Sequence, residues 1–380
     1  MTDESLFDKP LMDEAVNLAE THANNLYEIP EKAFEEIKTT TYIKDAVRAY
    51  PLQTIDIEMD TGLVCFLDAG RDKTVALRAD IDAVPTELGP KHLCGHNAHA
   101  GTMLGAIHYL CGTKETLKYN VLFIFQPAEE GTRGAKEMLE HGLFERVKPS
   151  PSMIFGIHNR PEIKVGDVVV HKGPLMSEKS VFDIRINGKA AHASMPQMSV
   201  DPIVCAASLV EEIQTIISRN KDPFKPALCT VNSIASGDPN IASPEHARIT
   251  GYIRTFDHEL HETIENRLRT LADETAKAYE CTADIDIKRM VPAVDNKEEM
   301  YDRARKSAEA ALGAEHVTDS MPSLASEDFA VYGSLIPSFF YWVGSGNPRE
   351  ENPPWHDMKF RVGRGYQKAA VPVLVSSVLI

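Results

Sequence analysis

The chain has 380 residues, with 40 lysines and arginines against 56 aspartates and glutamates for a net charge of −16, and 43% of it is hydrophobic. Single cores stop growing near about 250 to 300 residues, so two domains are expected, and an acidic chain with no basic cluster interleaved with aromatics is a poor partner for nucleic acid. The N-terminal MTDESLFDKPLMDEA lacks a positive and then apolar leader pattern, and the longest apolar run, near VPVLVSSVLI, is too short for a bilayer, so a soluble cytoplasmic protein without a membrane partner is expected.

In chain order, KTVALRAD, YNVLFIFQPA and SMIFGIHN are short β-rich runs that end in polar residues. Between them HAGTMLGAIHYL and RGAKEMLEHGLF carry apolar residues at helical spacing. This alternation predicts an α/β fold, a mostly parallel sheet covered by helices, in which ligands bind beyond the carboxyl ends of the strands. Asp80 and Asp82, Glu129 and Glu130, and His158 stand at those ends. Neither GxGxxG nor GxxxxGK[ST] occurs, so no nucleotide fingerprint is present.

From about Leu175 the pattern changes. SVFDIRINGKAAHAS, a helical stretch from Asp201 to about Asn220, ALCTVNSIASG, ARITGYIRTF, a helix from about His258 to Glu280 and TADIDIKR give the order βαββαβ. That is a small α+β domain, expected over 176–288 and inserted into a first domain of 1–175 and 289–380. After it come SLASEDF, the apolar SFFYWVGSG and a polar loop holding His356.

The segment KHLCGHNAHAGTM sets Cys94, His96 and His99 close together. The six cysteines, Cys65, Cys94, Cys111, Cys205, Cys229 and Cys281, have no framework spacing, and in a reducing compartment they stay thiols. Five of them read as small buried hydrophobes, and Cys94 alone has histidine company. A reactive thiol or a metal remains. Zinc and its relatives take thiolate, imidazole and carboxylate, and the strand-end residues are of those types. The pair Glu129-Glu130, directly after an apolar run, invites a division of labour, one carboxylate binding metal and its neighbour carrying a proton. A cysteine hydrolase built on Cys94 fits two histidines and two glutamates less well. A cytidine-type zinc deaminase needs a C-x-x-C, which is absent.

The motifs LYEIPEKAFEEIKTTTYI, ALRADIDAVP, HLCGHNAHAGTMLGA, FIFQPAEEGTRGAKEML, FGIHNRP, GKAAHASMPQMSVDPI, ITGYIRTFD, SEDFAVY and PPWHDMKF run nearly end to end. In this order they resemble the dinuclear metal-dependent aminoacylase and carboxypeptidase family, in its branch of N-acyl-amino-acid amidohydrolases. That branch includes hippurate hydrolases, N-acetyl-diaminopimelate deacetylases and auxin-conjugate hydrolases. The resemblance implies that Cys94, His96, Glu130, His158 and His356 hold two divalent ions, with Zn, Mn, Co and Ni all compatible, and that Glu129 is the general acid/base. It implies that Asp82 orients a ligand and that His99 supports the nest from behind. It also implies a lid and dimerisation role for the inserted domain, with His192, Asn240 and Arg254 facing substrate and His192 lent to the other subunit of a homodimer.

In two places the chain departs from that pattern. Asn97 stands where the family has an aspartate after the histidine, which removes a charge expected to aid metal retention, and VPTELGPKHLC is short, which predicts a more open entrance. The expected activity is hydrolysis of the amide of N-acyl amino acids or small peptides with a free carboxylate. The alternative is a metal- or ligand-binding homologue with lost or altered catalysis.

Overall fold

A computed structural model describes residues 6–237, 243–349 and 351–380. In chain order the helices of seven residues or more are α1 (Lys9–Tyr27), α2 (Ile37–Val47), α3 (His96–Gly112), α4 (Gly134–Glu140), α5 (Pro202–Thr215), α6 (His258–Ala278), α7 (Glu298–Leu312) and α8 (Gln367–Leu379). The longer strands are β1 (Leu63–Leu67), β2 (Thr74–Asp80), β3 (Asn120–Gln126), β4 (Pro151–Lys164), β5 (Glu178–Asn187), β6 (Ala227–Ser236), β7 (His246–Thr255), β8 (Thr282–Val291) and β9 (Ser338–Gly346). The chain divides into two compact units, one of the residues up to Leu175 with Val294–Pro322 and Glu327–Ile380, the other of Met176–Ala293 with Ser323–Ser326.

The first unit is built on a mixed sheet in the order β1–β3–β2–β4–β9, continued at both ends by two-residue strands. β2 runs parallel to β3 and β4, β4 runs parallel to β9, and β1 is antiparallel to β3. Every residue of β2 and β3 is buried, as expected of strands covered on both faces, so apolar residues occupy successive positions instead of alternating, with Arg78 and Asp80 the buried charges of β2. α3 is buried almost all round, and its small residues have a reason. A Cβ at Gly101 would lie 2.6 Å from Ala19 O and one at Gly105 2.6 Å from Ala15 O, so α1 packs on α3 with backbones nearly touching.

The second unit is an antiparallel sheet in the order β8–β5–β7–β6, with α5 and α6 packed on it around a separate core that includes Phe182, Ile184, Leu209, Ile249 and Leu268. It runs past 288, because β8 keeps pairing with β5 as far as Val291 opposite Lys179. The short segment Ser323–Ser326 joins it through the Ser177 hydroxyl, which donates to Leu324 O at 2.8 Å, and the Arg254 guanidinium, which donates to the same oxygen at 2.7 Å. Among the described residues no helix is long and apolar enough to cross a membrane.

Candidate metal centre

The carboxyl ends of β2 and β3 and the middle of β4 meet the N-terminus of α3 in the first unit; His158 was expected at a strand end, but β4 stays paired with β9 past it as far as Lys164. Gly95, at φ 92°, turns the chain into α3, and a Cβ there would lie 2.4 Å from Asn159 Nδ2, so the glycine is required on both counts. This turn sets Cys94 and His96 on opposite sides of one tight bend. Beyond β3, Ala128 (φ 58°) and Thr132 (φ 52°) bracket the glutamate pair in the left-handed region. The bend is pinned at two amides, since Ala128 N–H donates to Glu36 Oε1 at 2.9 Å and Glu130 N–H to Asp82 Oδ2 at 3.0 Å.

The candidate ligands are brought together. Cys94 Sγ lies 3.4 Å from His158 Nε2, and His356 Nε2 lies 3.4 Å from Glu130 Oε2. His96 Nε2 lies 3.9 Å from both Glu129 Oε2 and Glu130 Oε1. Cys94, Glu130 and His356 offer ligand atoms all within 4.8 Å of one another, as do His96, Glu129 and Glu130.

Which atoms are available follows from the hydrogen bonds. His96 Nδ1 donates to Asp82 Oδ1 at 3.0 Å and His158 Nδ1 donates to Asn159 O at 2.8 Å, so each ring turns its Nε2 lone pair inward. His96 Nε2 and Glu130 Oε1 are buried without a hydrogen-bond partner. Orphaned acceptors of this kind are costly unless something positive sits against them. Asp80, Asp82, Glu129, Glu130, Glu327 and Asp328 gather around the nest, while the buried Arg78 supplies one fixed positive charge. Sulfur, imidazole and carboxylate donors with an excess of negative charge fit divalent transition-metal ions.

The proton affinities carry the same mark of missing positive charge. Burial, then the Glu327 and Glu130 carboxylates, holds the Glu129 carboxyl well above the usual range. Burial and the Glu130 and Glu129 carboxylates push the Cys94 thiol well up. Burial opposes charge on His96, but Asp80 and Asp82 overcome it and raise the imidazole to about 10.

Other expected residues fall differently. His99 has both ring nitrogens in use, Nδ1 donating to Asp80 Oδ1 at 2.6 Å and Nε2 accepting from Asn159 N–H at 3.0 Å, so it braces the strand ends and is not free to ligate. Asn97 does not reach a ligand. Its Nδ2 donates to Ala23 O of α1 at 3.0 Å, away from the nest, because the first turn of α3 points this side chain at its packing partner. A carboxylate at 97 would face that carbonyl oxygen, so the amide suits this chain and the expected weakening of metal retention has no contact behind it. His192 is exposed in the loop after β5, its Nδ1 2.8 Å from Ser194 Oγ. Arg254 lies on β7 and is tied to Leu324 O. Asn240 lies outside the described residues.

Three residues of the site were not anticipated. Asn159 is fully buried, and its Nδ2 donates to Cys94 O at 2.5 Å. Arg78 donates to Asp80 (2.9 Å), Gln126 (2.9 Å), Glu327 (2.8 Å) and Asp328 (2.9 Å). Glu327 shares a cluster with Glu129 and Asp328. Arg78 stands out as a charge in the middle of the apolar run TVALRAD, and Asn159 and Glu327 lie within the motifs FGIHNRP and SEDFAVY without any sign there of what they touch.

Residues 76–371 match peptidase family M20/M25/M40. Among similar proteins, N-acetylcysteine deacetylase of Bacillus subtilis strain 168 is 34% identical over 349 residues, covering 88% of this chain and 89% of the relative. N-acetyldiaminopimelate deacetylase of Geobacillus thermodenitrificans strain NG80-2 is 33% identical over 342 residues, covering 85% and 88%. A solved Bacillus subtilis protein, described as a dinuclear metal-binding peptidase of the M20 family, superposes with a TM-score of 0.81 at 29% identity over 98% of both chains. The chain belongs to peptidase family M20/M25/M40.

Proposed function

We propose that the protein is a metal-dependent amidohydrolase that cleaves the amide bond of N-acyl amino acids carrying a free carboxylate, with Cys94, His96, Glu130, His158 and His356 holding two divalent ions. The observation that carries this reading is the pair of orphaned inward acceptors, His96 Nε2 and Glu130 Oε1, set beside a separate buried carboxyl, Glu129. The similarity to deacetylases of N-acetylated amino acids supports the substrate class. Held by these residues, divalent ions would supply Lewis acidity to an amide carbonyl and to a water. Glu129 accepts the proton of the attacking water at its carboxylate and delivers it to the departing amine nitrogen, a role open to a buried carboxyl set beside His96 and Glu130. Asp82 keeps the His96 ring and the Glu130 backbone in register while the proton moves.

The inserted domain contributes the remaining contacts in this reading. Arg254, with Asn240, holds the substrate carboxylate by charge-assisted hydrogen bonds, and His192 donates to the developing oxyanion. Arg254 pairs with Lys179 near the start of β5, whereas His192 follows its end at Asn187, so eight residues of extended strand, roughly 26 Å, separate their positions along one sheet. One small substrate does not bridge that span, which supports a two-fold homodimer in which His192 serves the other copy. The outer strand β6 and the exposed Ile203, Val204, Leu228 and Ile234 offer a surface for such pairing. A thiol ligand fits a reducing cytoplasm, and the six cysteines are free.

The test is hydrolysis of a panel of N-acyl amino acids by protein stripped with a chelator and reloaded with Zn, Mn, Co or Ni. Activity is expected to vanish and return. Full activity of verified metal-free protein would falsify the reading.

A further inference from the structure

The loop that carries His356 is mostly exposed: Glu351, Asn352, Pro354, Asp357, Met358 and Lys359 all face solvent, and the His356 side chain itself is 53% exposed. His356 also sits at φ 69°, a backbone conformation that costs free energy outside glycine. A ligand in such a place needs an anchor. One is the His356 N–H, which donates to Leu93 O at 2.8 Å. The other is its neighbour Trp355, half-buried in a run of exposed residues.

Trp355 reaches three parts of the nest. Its ring meets His158 edge to face, centroids 4.9 Å apart at 78°. It packs against the apolar group of Val84, Leu93 and Cys94. Its Nε1–H donates to Asn159 Oδ1 at 3.3 Å, and the same Asn159 side chain donates to Cys94 O. Behind it the Arg160 guanidinium lies 5.0 Å from the Trp355 ring and 4.1 Å from the Trp342 ring, a cation held between the chain's two tryptophans.

We propose that Trp355 is a positioning residue for the metal centre: its indole ties the loop of His356 to the strand end of His158 and to Cys94, and so sets three ligands from three separate elements at once. This rests on the metal reading above. It follows that the tryptophan is also an internal reporter, since its ring touches His158, which would hold an ion.

The experiment uses full-length protein, wild type, W355F and W355A, titrated with Co(II) against a competing chelator while intrinsic fluorescence and the Co(II) visible spectrum are recorded. W355A is expected to bind one of the two ions about 10- to 100-fold more weakly, the scale seen for residues that orient ligands, with an altered spectrum. Its metal-free melting temperature should stay close to wild type. W355F keeps a ring edge against His158 but loses the N–H to Asn159, so its affinity should fall between the two. Wild-type affinity and spectrum in W355A would overturn the proposal, and if W355A does not fold, the same result in W355F overturns it. A wild-type protein that takes up no ion overturns the metal reading and this one with it, whereas two tightly bound ions in wild type and in both variants overturn this one only.

Discussion

The strand-end nest of the first unit and the His192 loop of the second hold their polar side chains in opposite ways. In the nest, each histidine on the sheet side is fixed through its far nitrogen, His96 by Asp82 and His158 by Asn159 O, and Asp82 also receives the Glu130 amide. His192 is exposed and, among the described residues, its hydrogen bonds are to its own loop, through Ser194 and the turn in which Met195 N–H donates to His192 O. A group that must aim at a metal is held from behind before the metal arrives. In the proposed homodimer, a group that acts in the other copy needs freedom and gains its geometry on assembly.

That contrast can be broken most sharply at Glu129. Glu129→Gln is expected to bind both ions as wild type does and to lose turnover by about 10²- to 10⁴-fold, the range for a positioned general acid/base. Loss of metal in this variant, measured by ion content after dialysis, would mean that Glu129 belongs to the ligand set. His192→Ala comes next, with kcat down by about 10²- to 10³-fold, as for an oxyanion donor, and ion content unchanged. Mixing inactive His192→Ala with inactive Glu129→Gln under subunit exchange should restore part of the activity, because one site of the mixed dimer regains both residues. Mixed dimers that stay inactive, with both chains folded and metal-loaded, would assign His192 to its own subunit.

Asp82→Asn probes the rigid side alone. The amide has one acceptor oxygen where the carboxylate has two, so it cannot accept from both the Glu130 N–H and the His96 Nδ1–H, and metal affinity should fall by about 10- to 100-fold, read by chelator competition. Glu36 tests the bend that carries the glutamates. Burial and the nearby Asp82 raise its carboxyl to about 7 from 4.5. A folded-state value above the unfolded one favours the folded state below pH 4.5, and that contribution is lost as pH rises through about 7. Urea melts in chelator should therefore show Glu36→Gln gaining on wild type by up to about 3 kcal/mol between pH 5 and pH 8, and parallel pH profiles would contradict the assignment. The smallest effect is expected at Asn97. Asn97→Asp removes the donor to Ala23 O and should cost about 1 kcal/mol of stability with unchanged metal affinity, and a tighter ion in that variant would reinstate a role at the metal.

Much of this was legible in the sequence where chemistry and periodicity coincide. TVALRAD, NVLFIFQ and the run around His158 announce buried parallel strands, and the glutamate pair follows the second of them closely, while Cys94 and His96 open the helix after the first. The order βαββαβ was equally plain from alternating strands and two helical stretches. What escaped is set by distance through space. Asn159 joins Cys94, His99 and Trp355 from beside His158, yet a buried asparagine leaves no periodic trace. Glu327 meets Arg78 across 249 residues of sequence. Asn97 looked like a defect because the residue type was visible and its direction was not: one step along α3 from His96 turns a side chain by about 100°, from the metal side to α1.

Gly101 and Gly105 of α3 have a consequence for how this chain tolerates change. Gly101 and Gly105 face Ala19 and Ala15 with no room for a methyl group, and the same helix begins at His96. Five residues of helix, about 7.5 Å, separate Gly101 from the imidazole that begins it. A single added carbon at Gly101 thus acts like a wedge under one end of a short beam, tilting the end that bears the chemistry while leaving every polar residue in place. Loss of function in variants of this protein is therefore to be sought in its smallest, most hydrocarbon-like positions as well as among its histidines and glutamates.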